Sequence, residues 1–431
     1  MKVRAKIKAL GYGGSFVGEV IPISAAPDPR AGKKVFIREV VPGEIVDVEI
    51  TKEEPKFILG KATAMVSASP DRVVPPCPSF GVCGGCDLQH LELAAQRSAK
   101  TEMVRTMLAV QGKLSPTEGV SLLGTELGGL HYRRRIQLHL DRAGALGFYR
   151  AGTTAVVPIE RCFLALEPLN AAIEMLRPFV KPLCALVGGV IIERHGDDTV
   201  VILSIRAEVN SRRQKTAIEA AVRPVAAVFP NLVVRQRNET VVRYRQGSEI
   251  GALAGDDAVG HFSQVNAAAN TVLVETVLRH IDGATITDLY AGAGNFALPL
   301  ARTGRAVTAV ELDPALVLSG TKLARTEGLD VRYVPLPCEK FVERHPLGEA
   351  VVLDPPRAGA KDVVSRFDPR VTQQVVYVSC DLPSLTRDLK ILVERGYHFT
   401  QLFVVDMFPQ THHVETVAIL RAASVGGRLK F

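Results

Sequence analysis

The sequence predicts an α/β protein: a doubly wound, parallel-rich sheet in the C-terminal part, preceded by a small β-barrel and a central, mixed, largely β region. Three observations carry this. From about residue 260, short apolar runs alternate with helix-like stretches, the texture of strands buried on both faces and joined by crossover helices. Residues 1 to about 66 instead alternate apolar and polar residues around glycines, the period-two pattern of short strands in a small barrel. Between them lie hairpin-like segments and most of the dense arginine groups.

Taken in order, "RAKIKALGYGGSFVGEV", "KKVFIREVVPGEIVDVEI" and "GKATAMV" supply the barrel strands. "SPDRVVPPCPSFGVCGGCDLQH" is too rich in Pro, Gly and Cys for the interior of a helix or strand. Leu91 to Leu108 segregates apolar and polar residues on separate faces and predicts a helix. "RRRIQLHLDRAGALGFYR", "GGVIIERHGDDTVVILSIRAEV" and "NLVVRQRNETVVRYRQG" read as hairpins. "ATITDLY", "RAVTAVEL", "EAVVLDPP" and "QVVYVSC" are the strands of the parallel sheet. The expected domains are therefore 1–66, 67–255 and 256–431.

A chain of 431 residues, 47% hydrophobic and 23% charged, can bury more than one core. It has no basic-then-apolar leader and no apolar run of bilayer length, so a soluble, cytoplasmic monomer without membrane association is expected. The net charge of +7 is uneven: residues 1–250 carry 34 Lys and Arg against 25 Asp and Glu, whereas residues 251–431 carry 18 against 20. A basic front beside a near-neutral back suits a polyanion-binding platform joined to another function. Seven cysteines without a secretory leader argue against a disulfide framework.

"TITDLYAGAGNFALPLA" sets a glycine-bearing turn between a buried strand and a helix, and the next strand ends on Glu311, seventeen positions after Gly294. Small residues admit a ligand to the backbone, and a carboxylate at the second strand tip can hold a ribose diol. Asn295 stands where the dinucleotide fingerprint would approach its third glycine, so there is little provision for a pyrophosphate. An adenosine cofactor without phosphates fits better, namely S-adenosylmethionine. Asp354 ends another strand before two prolines, which suit a rigid pocket edge. Cys77, Cys83 and Cys86 form C-x5-C-x2-C, with Cys162 following in "PIERC"; clustered thiols in a reducing compartment point to metal, with zinc and an iron–sulfur cluster competing. Cys380 sits where a strand ends and a helix begins, a place for a packed thiol or for a nucleophile.

Together, "CPSFGVCGGCDLQHL" with "IERC", "FSQVN", "DLYAGAGNF", "ELDP", "LDPPRAG", "YVSCDLPSLTRDL" and "FPQTHHVETVAIL" give the chain a strong resemblance to the S-adenosylmethionine-dependent RNA uracil-5 methyltransferases over nearly its whole length. The ribosomal branch, acting on 23S rRNA, is the nearest in pattern. The resemblance implies an N-terminal TRAM barrel of OB-like form, a central domain with a [4Fe-4S] cluster on Cys77, Cys83, Cys86 and Cys162, and a Rossmann-like catalytic domain. It makes Cys380 the nucleophile and Glu415 the base, and lines the cofactor and uracil pocket with Gln264, Tyr290, Asn295, Glu311 and Asp354. The chain departs from the family at Asp381 and Leu382, where Asn-Pro is more usual, and at Cys338.

Uracil carbon 5 is a poor nucleophile until a thiolate adds to carbon 6, and a base must later remove the carbon 5 proton. Stacked uridine cannot present carbon 6, so the base must be flipped or single-stranded. Tyr132, Arg133, Arg135, Phe148 and Phe262, with Tyr149, are candidate RNA contacts; strand alternation sends Arg133 and Arg135 to one face and Arg134 to the other. The T-arm uridine of tRNA is the alternative substrate. A non-catalytic RNA chaperone would not need Cys380 and Glu415, and a radical enzyme would need a C-x3-C-x2-C motif that the sequence lacks.

Overall fold

The computed structural model describes residues 2–23, 28–237, 239–245 and 264–423. The chain forms two compact units, one from residues 1–74, 90–127 and 268–431, the other from 75–89 and 128–267. Among the described residues no helix is long and apolar enough to cross a membrane.

The first unit begins with β1 (Lys2–Leu10), β2 (Phe16–Ile21), β3 (Lys34–Ile37), β4 (Ile45–Glu53) and β5 (Phe57–Ser67), a closed barrel in the order β1-β2-β3-β5-β4. Alternation buries Val3, Ala5 and Ile7 of β1 against Phe16 and Val20 of β2. The turn between these strands is a glycine loop, with Gly13 and Gly14 at φ of 89° and 81° that side-chain-bearing residues rarely adopt.

Helix α1 (Leu93–Thr106) follows, its first amides capped by the Glu92 carboxylate, which accepts from the N–H groups of Ala94 and Ala95. It runs further than the predicted end at Leu108: a π-helical turn, Met107–Gly112, continues it until Lys113 takes a left-handed conformation at φ 52°. The buried face of α1 carries Gln96, Arg97 and Lys100 beside Met103 and Val104. Lys100 Nζ donates to Asp406 Oδ1 at 2.7 Å and to the Phe408 carbonyl at 2.9 Å, and Arg97 Nε reaches Asp406 Oδ2 at 3.1 Å. Gln96 and Gln410 exchange two further bonds. Strand β6 (Val120–Leu123) then enters the large sheet of this unit.

The second unit holds a seven-stranded sheet in the order β13-β12-β11-β10-β7-β8-β9. Its strands are β7 (Arg135–Leu140), β8 (Leu146–Tyr149), β9 (Val156–Pro158), β10 (Val187–His195), β11 (Asp198–Ile205), β12 (Leu232–Gln236) and β13 (Glu239–Tyr244). The three predicted hairpins pair as β7–β8, β10–β11 and β12–β13. Two helices of 17 residues, α2 (Glu167–Leu183) and α3 (Arg212–Val228), cover the sheet. Their interior prolines, Pro178, Pro182 and Pro224, read as breakers in sequence. Burial of the apolar stripes Leu169–Ile173–Leu176 and Ile218–Val222–Val225 in a common core overrides that signal.

The first unit resumes with α4 (Ala267–His280) and the predicted α/β alternation: β14 (Thr285–Leu289), α5 (Ala297–Arg302), β15 (Ala306–Glu311), α6 (Pro314–Glu327), β16 (Val331–Pro335), α7 (Cys338–Arg344), β17 (Ala350–Leu353), α8 (Lys361–Val364), β18 (Gln374–Ser379), α9 (Leu382–Glu394), β19 (Tyr397–Val405) and β20 (Glu415–Ala422). The sheet order is β16-β15-β14-β17-β18-β20-β19-β6. The first five strands are mutually parallel, and β20 returns antiparallel to β18. Parallel strands bring the carboxyl ends of β14, β15, β17 and β18 to one edge, where open α/β sheets bind ligands.

Asp406 is 2% exposed and balances two buried cations. Asp406→Ala should lower unfolding stability by about 3–5 kcal/mol, because it strands both charges. Lys100→Met, which leaves Arg97 paired, should cost less. Denaturant midpoints of the full-length variants read the difference.

Candidate active site and thiol cavity

The loop after β14 forms the cradle at the sheet edge. Tyr290 is held at φ 62°, an uncommon state for a bulky residue. Its N–H lies 3.3 Å from Cys338 Sγ and its hydroxyl donates to Glu339 at 3.2 Å. Gly292 and Gly294 follow at φ 56° and 105°. A Cβ on Gly294 would lie 2.4 Å from the Tyr333 hydroxyl, whereas one on Gly292 would meet open space, so Gly292 is the point where a ligand can approach the backbone. Glu311, at the tip of β15, accepts from the Gly292 N–H at 3.0 Å and from the Asp313 N–H at 2.8 Å. Asn295 and Asn270 exchange amide bonds of 2.9 and 3.1 Å. The cradle thus presents oriented amides and carboxylates, a chemistry suited to a cationic ligand.

Sequence reasoning missed two members of this cradle. Asp288, wholly buried at the end of β14, is pushed well above the usual carboxylate range by burial and then by the neighbouring Asp354. The Tyr333 hydroxyl is buried beneath Gly294 and makes no hydrogen bond. The signal for Asp288 was present as the first residue of "DLYAGAGNF"; Tyr333 had none. Cys338 is a buried thiol at the start of α7 whose sulfur faces the Tyr290 amide.

Cys380 and Glu415 are brought together by strand register. Ser379 of β18 pairs with Thr416 of β20, and the Thr416 hydroxyl donates to the Ser379 carbonyl at 2.9 Å. Cys380 follows the last paired residue of β18 and Glu415 precedes its partner on β20, and the Cys380 thiol lies within electrostatic reach of Glu415. Glu415 is 3% exposed and its Oε1 makes no hydrogen bond. Burial, and then Asp354, push its carboxyl well above the usual range. Asp354 itself is pushed up to about 7 by burial. The Cys380 thiol is pushed up to about 11 by burial first, then by Glu415 and Asp354, with Arg357 acting in the opposite direction. A nucleophile-type thiol and two recessed carboxylates therefore share a pocket with a surplus of potential negative charge.

In the second unit Cys77, Cys83, Cys86 and Cys162 line one cavity of about 320 Å³. The Cys83 N–H donates to the Ser79 carbonyl at 2.8 Å, the Cys77 N–H to Gln89 at 3.2 Å, and Cys162 is fixed through both backbone groups by Asn170 at 2.9 and 3.2 Å. Burial raises the thiols of Cys83, Cys86 and Cys162, that of Cys86 up to about 12. Among the described residues no three His, Cys, Asp or Glu side chains stand close enough to hold a single metal ion. A lone zinc with bonds of about 2.3 Å needs sulfurs about 3.8 Å apart; thiols spread around a cavity suit a larger body.

Arg133, Arg135 and Phe148 line this same cavity, and Arg135 lies 3.5 Å from the Glu193 carboxylate, whereas Arg134 turns to the Arg194 carbonyl at 2.7 Å. Arg133 also stacks on Tyr132, with 5.9 Å between guanidinium and ring. Tyr149 stacks on His139 at 3.5 Å beside a shallow groove. Gln264 lies in the second unit, half-buried, and Phe262 lies outside the described residues.

The family model described as tRNA (Uracil-5-)-methyltransferase matches residues 342–423, the segment that carries Cys380 and Glu415. A protein of Shewanella amazonensis named 23S rRNA (uracil(1939)-C(5))-methyltransferase RlmD is 33% identical, covering 97% of this chain and 95% of its own length. Its namesake from Shewanella halifaxensis is 32% identical over 90% and 91%. The fold is similar to that of the crystal structure of Pyrococcus abyssi tRNA (uracil-54, C5)-methyltransferase in complex with S-adenosyl-L-homocysteine, with a TM-score of 0.70 at 20% identity over 97% of this chain and 100% of that one. With a relative one-third identical along almost its full length, the chain belongs to the RNA (uracil-5-)-methyltransferase family and is an enzyme.

Proposed function

We propose that the enzyme transfers a methyl group from S-adenosylmethionine to carbon 5 of a uridine in 23S rRNA through a covalent adduct between Cys380 and uracil carbon 6. What supports this reading is the pairing of β18 with β20, which ends at Ser379 and Thr416, one residue before Cys380 and one after Glu415, with the two side chains within electrostatic reach at the carboxyl edge of the sheet. The names of the long-range relatives favour the ribosomal substrate over tRNA. The cradle's Tyr290, Asn295, Glu311 and Asp354 are the residues that would hold the cofactor, with Gln264 added from the family pattern. When bound, the cofactor supplies an electrophilic methyl on a sulfonium. Cys380 Sγ, its proton lost to solvent, would add to carbon 6 and place the electron pair of the ring double bond on the carbon 5 enolate, which displaces the methyl from the sulfonium, the broken bond's electron pair staying on the departing sulfide. Glu415 then accepts the carbon 5 proton, the double bond re-forms and the Cys380 sulfur leaves. A carboxyl raised by burial is a stronger base once ionised, which suits this step.

The charge surplus explains how the thiolate is reached. A thiol held near 11 is ionised at about one part in ten thousand at pH 7. A sulfonium bound beside Asp354 would offset the carboxylates that oppose ionisation. The alkylation rate of Cys380 should therefore rise with pH up to about 11 in the free enzyme. S-adenosylmethionine should move that profile to lower pH, and the neutral S-adenosylhomocysteine should move it much less. A profile that does not respond to either would remove charge compensation from the mechanism.

Cys380→Ala should abolish methyl transfer while keeping the fold and cofactor affinity. Glu415→Gln should still add and methylate but fail to eliminate, leaving a protein–RNA species that survives denaturing electrophoresis. Clean turnover by Glu415→Gln would assign the proton to another base. Labelled methyl transfer to 23S rRNA and tRNA, offered separately, tests the substrate.

The four thiols are read as ligands of a [4Fe-4S] cluster in a structural role, since nothing in methyl transfer requires an electron. What supports this is the all-thiolate donor set around one cavity, with its backbone fixed by Ser79, Gln89 and Asn170. Anaerobically purified enzyme should be brown with about four irons per chain, and Cys162→Ser should bleach it. Stoichiometric zinc would contradict the reading.

A further inference from the structure

Tyr12 occupies the glycine loop between β1 and β2 of the barrel and keeps 44% of its surface exposed. Its hydroxyl nevertheless donates a short bond, 2.6 Å, to Oδ2 of Asp381, the residue that follows Cys380. The other oxygen of that carboxylate, Oδ1, accepts the Ser384 N–H at 3.0 Å and caps α9. The Asp381 N–H in turn donates to the Ser379 hydroxyl at 3.1 Å, so both neighbours of Cys380 are joined across it. Cys380 itself belongs to neither β18 nor α9. Its placement depends on what holds this short turn.

We propose that Tyr12 is a positioning residue for Cys380: through Asp381 it clamps the barrel loop to the turn that presents the thiol. The proposal rests on the reading of Cys380 as nucleophile. Attack requires reacting atoms to be held about 3–3.5 Å apart in the right orientation, and a small displacement of the turn is costly to the rate. The residue type at 381 fits this role. The Asp381 carboxylate has two acceptor oxygens, one for the helix cap and one for the phenol. The Tyr12 phenol also lies within electrostatic reach of Cys380 and Arg357, which puts the contact at the mouth of the site.

The test is a double-mutant cycle in the full-length enzyme, with Tyr12→Phe removing only the hydroxyl and Asp381→Ser keeping a capping hydroxyl that is too short to reach Tyr12. At saturating RNA and S-adenosylmethionine, each single variant should slow single-turnover methyl transfer by about tenfold. KM for both substrates and the melting temperature should stay close to wild type, and the double variant should be no slower than the slower single. A wild-type rate for Tyr12→Phe, or multiplying effects in the double variant, would overturn the proposal. Cys380→Ala is measured alongside: turnover there would overturn the nucleophile reading and this proposal together, whereas an inert Cys380→Ala beside an unaffected Tyr12→Phe removes only the role of Tyr12.

Discussion

The first unit is organised around one buried carboxylate. Asp406 lies just past the end of β19 and takes Lys100 and Arg97 from α1, all three almost without solvent. Burying such a triad is favourable only when every charge is met, so the arrangement fixes the helix in one register on the catalytic sheet. The consequences spread in two directions. Toward the barrel, α1 is preceded by His90, whose ring bonds the Val40 carbonyl at 2.9 Å and meets Phe16 edge-on. Toward the site, Asp406 stands at the head of the "MFPQTHHVE" segment that leads to Glu415, with Gln96 holding Gln410 midway. A helix remote from Glu415 in sequence thereby sets the course of the strand that carries it.

The pocket at the sheet edge is governed by a second constraint, an excess of carboxylates in a recessed place. Asp288, Asp354 and Glu415 all have their charged forms disfavoured by burial, and the Cys380 thiol is raised in the same environment. In the proposed reaction, positive charge bound in the cradle would offset these carboxylates and favour ionisation of the Cys380 thiol.

The second unit has the complementary composition. The arginines nearest the cysteines, Arg133 and Arg135, line the thiol cavity together with Phe148. In the proposed cluster the four sulfurs would be ionised, and the two guanidinium groups on the cavity wall would offset that charge. The open aromatic surface of this unit lies instead at the groove of Tyr149, His139 and Arg150.

Much of the molecule was legible in the sequence because it is written in local pattern. The period-two front half of the barrel, the three hairpins, the βα alternation after residue 260 and the strand ends at Glu311, Asp354 and Cys380 follow from periodicity and from residue types that suit only particular backbone positions. The same strand alternation put Arg133 and Arg135 on one face. Chemistry-bearing residues were also identifiable as types: a thiol at a strand end, a carboxylate within an apolar strand, three cysteines in ten residues. What only the tertiary structure decided is who faces whom. No local signal says that Lys100 meets Asp406, that Tyr12 reaches Asp381, or that Arg133 looks onto thiols; these pairs are far apart along the chain. The prolines inside α2 and α3 are accommodated for a related reason, since a breaker is tolerated once an apolar stripe finds a core. Sequence period fixes which face a side chain takes, but the partner of that face is set by long-range strand register and burial, and those exist only in the folded chain.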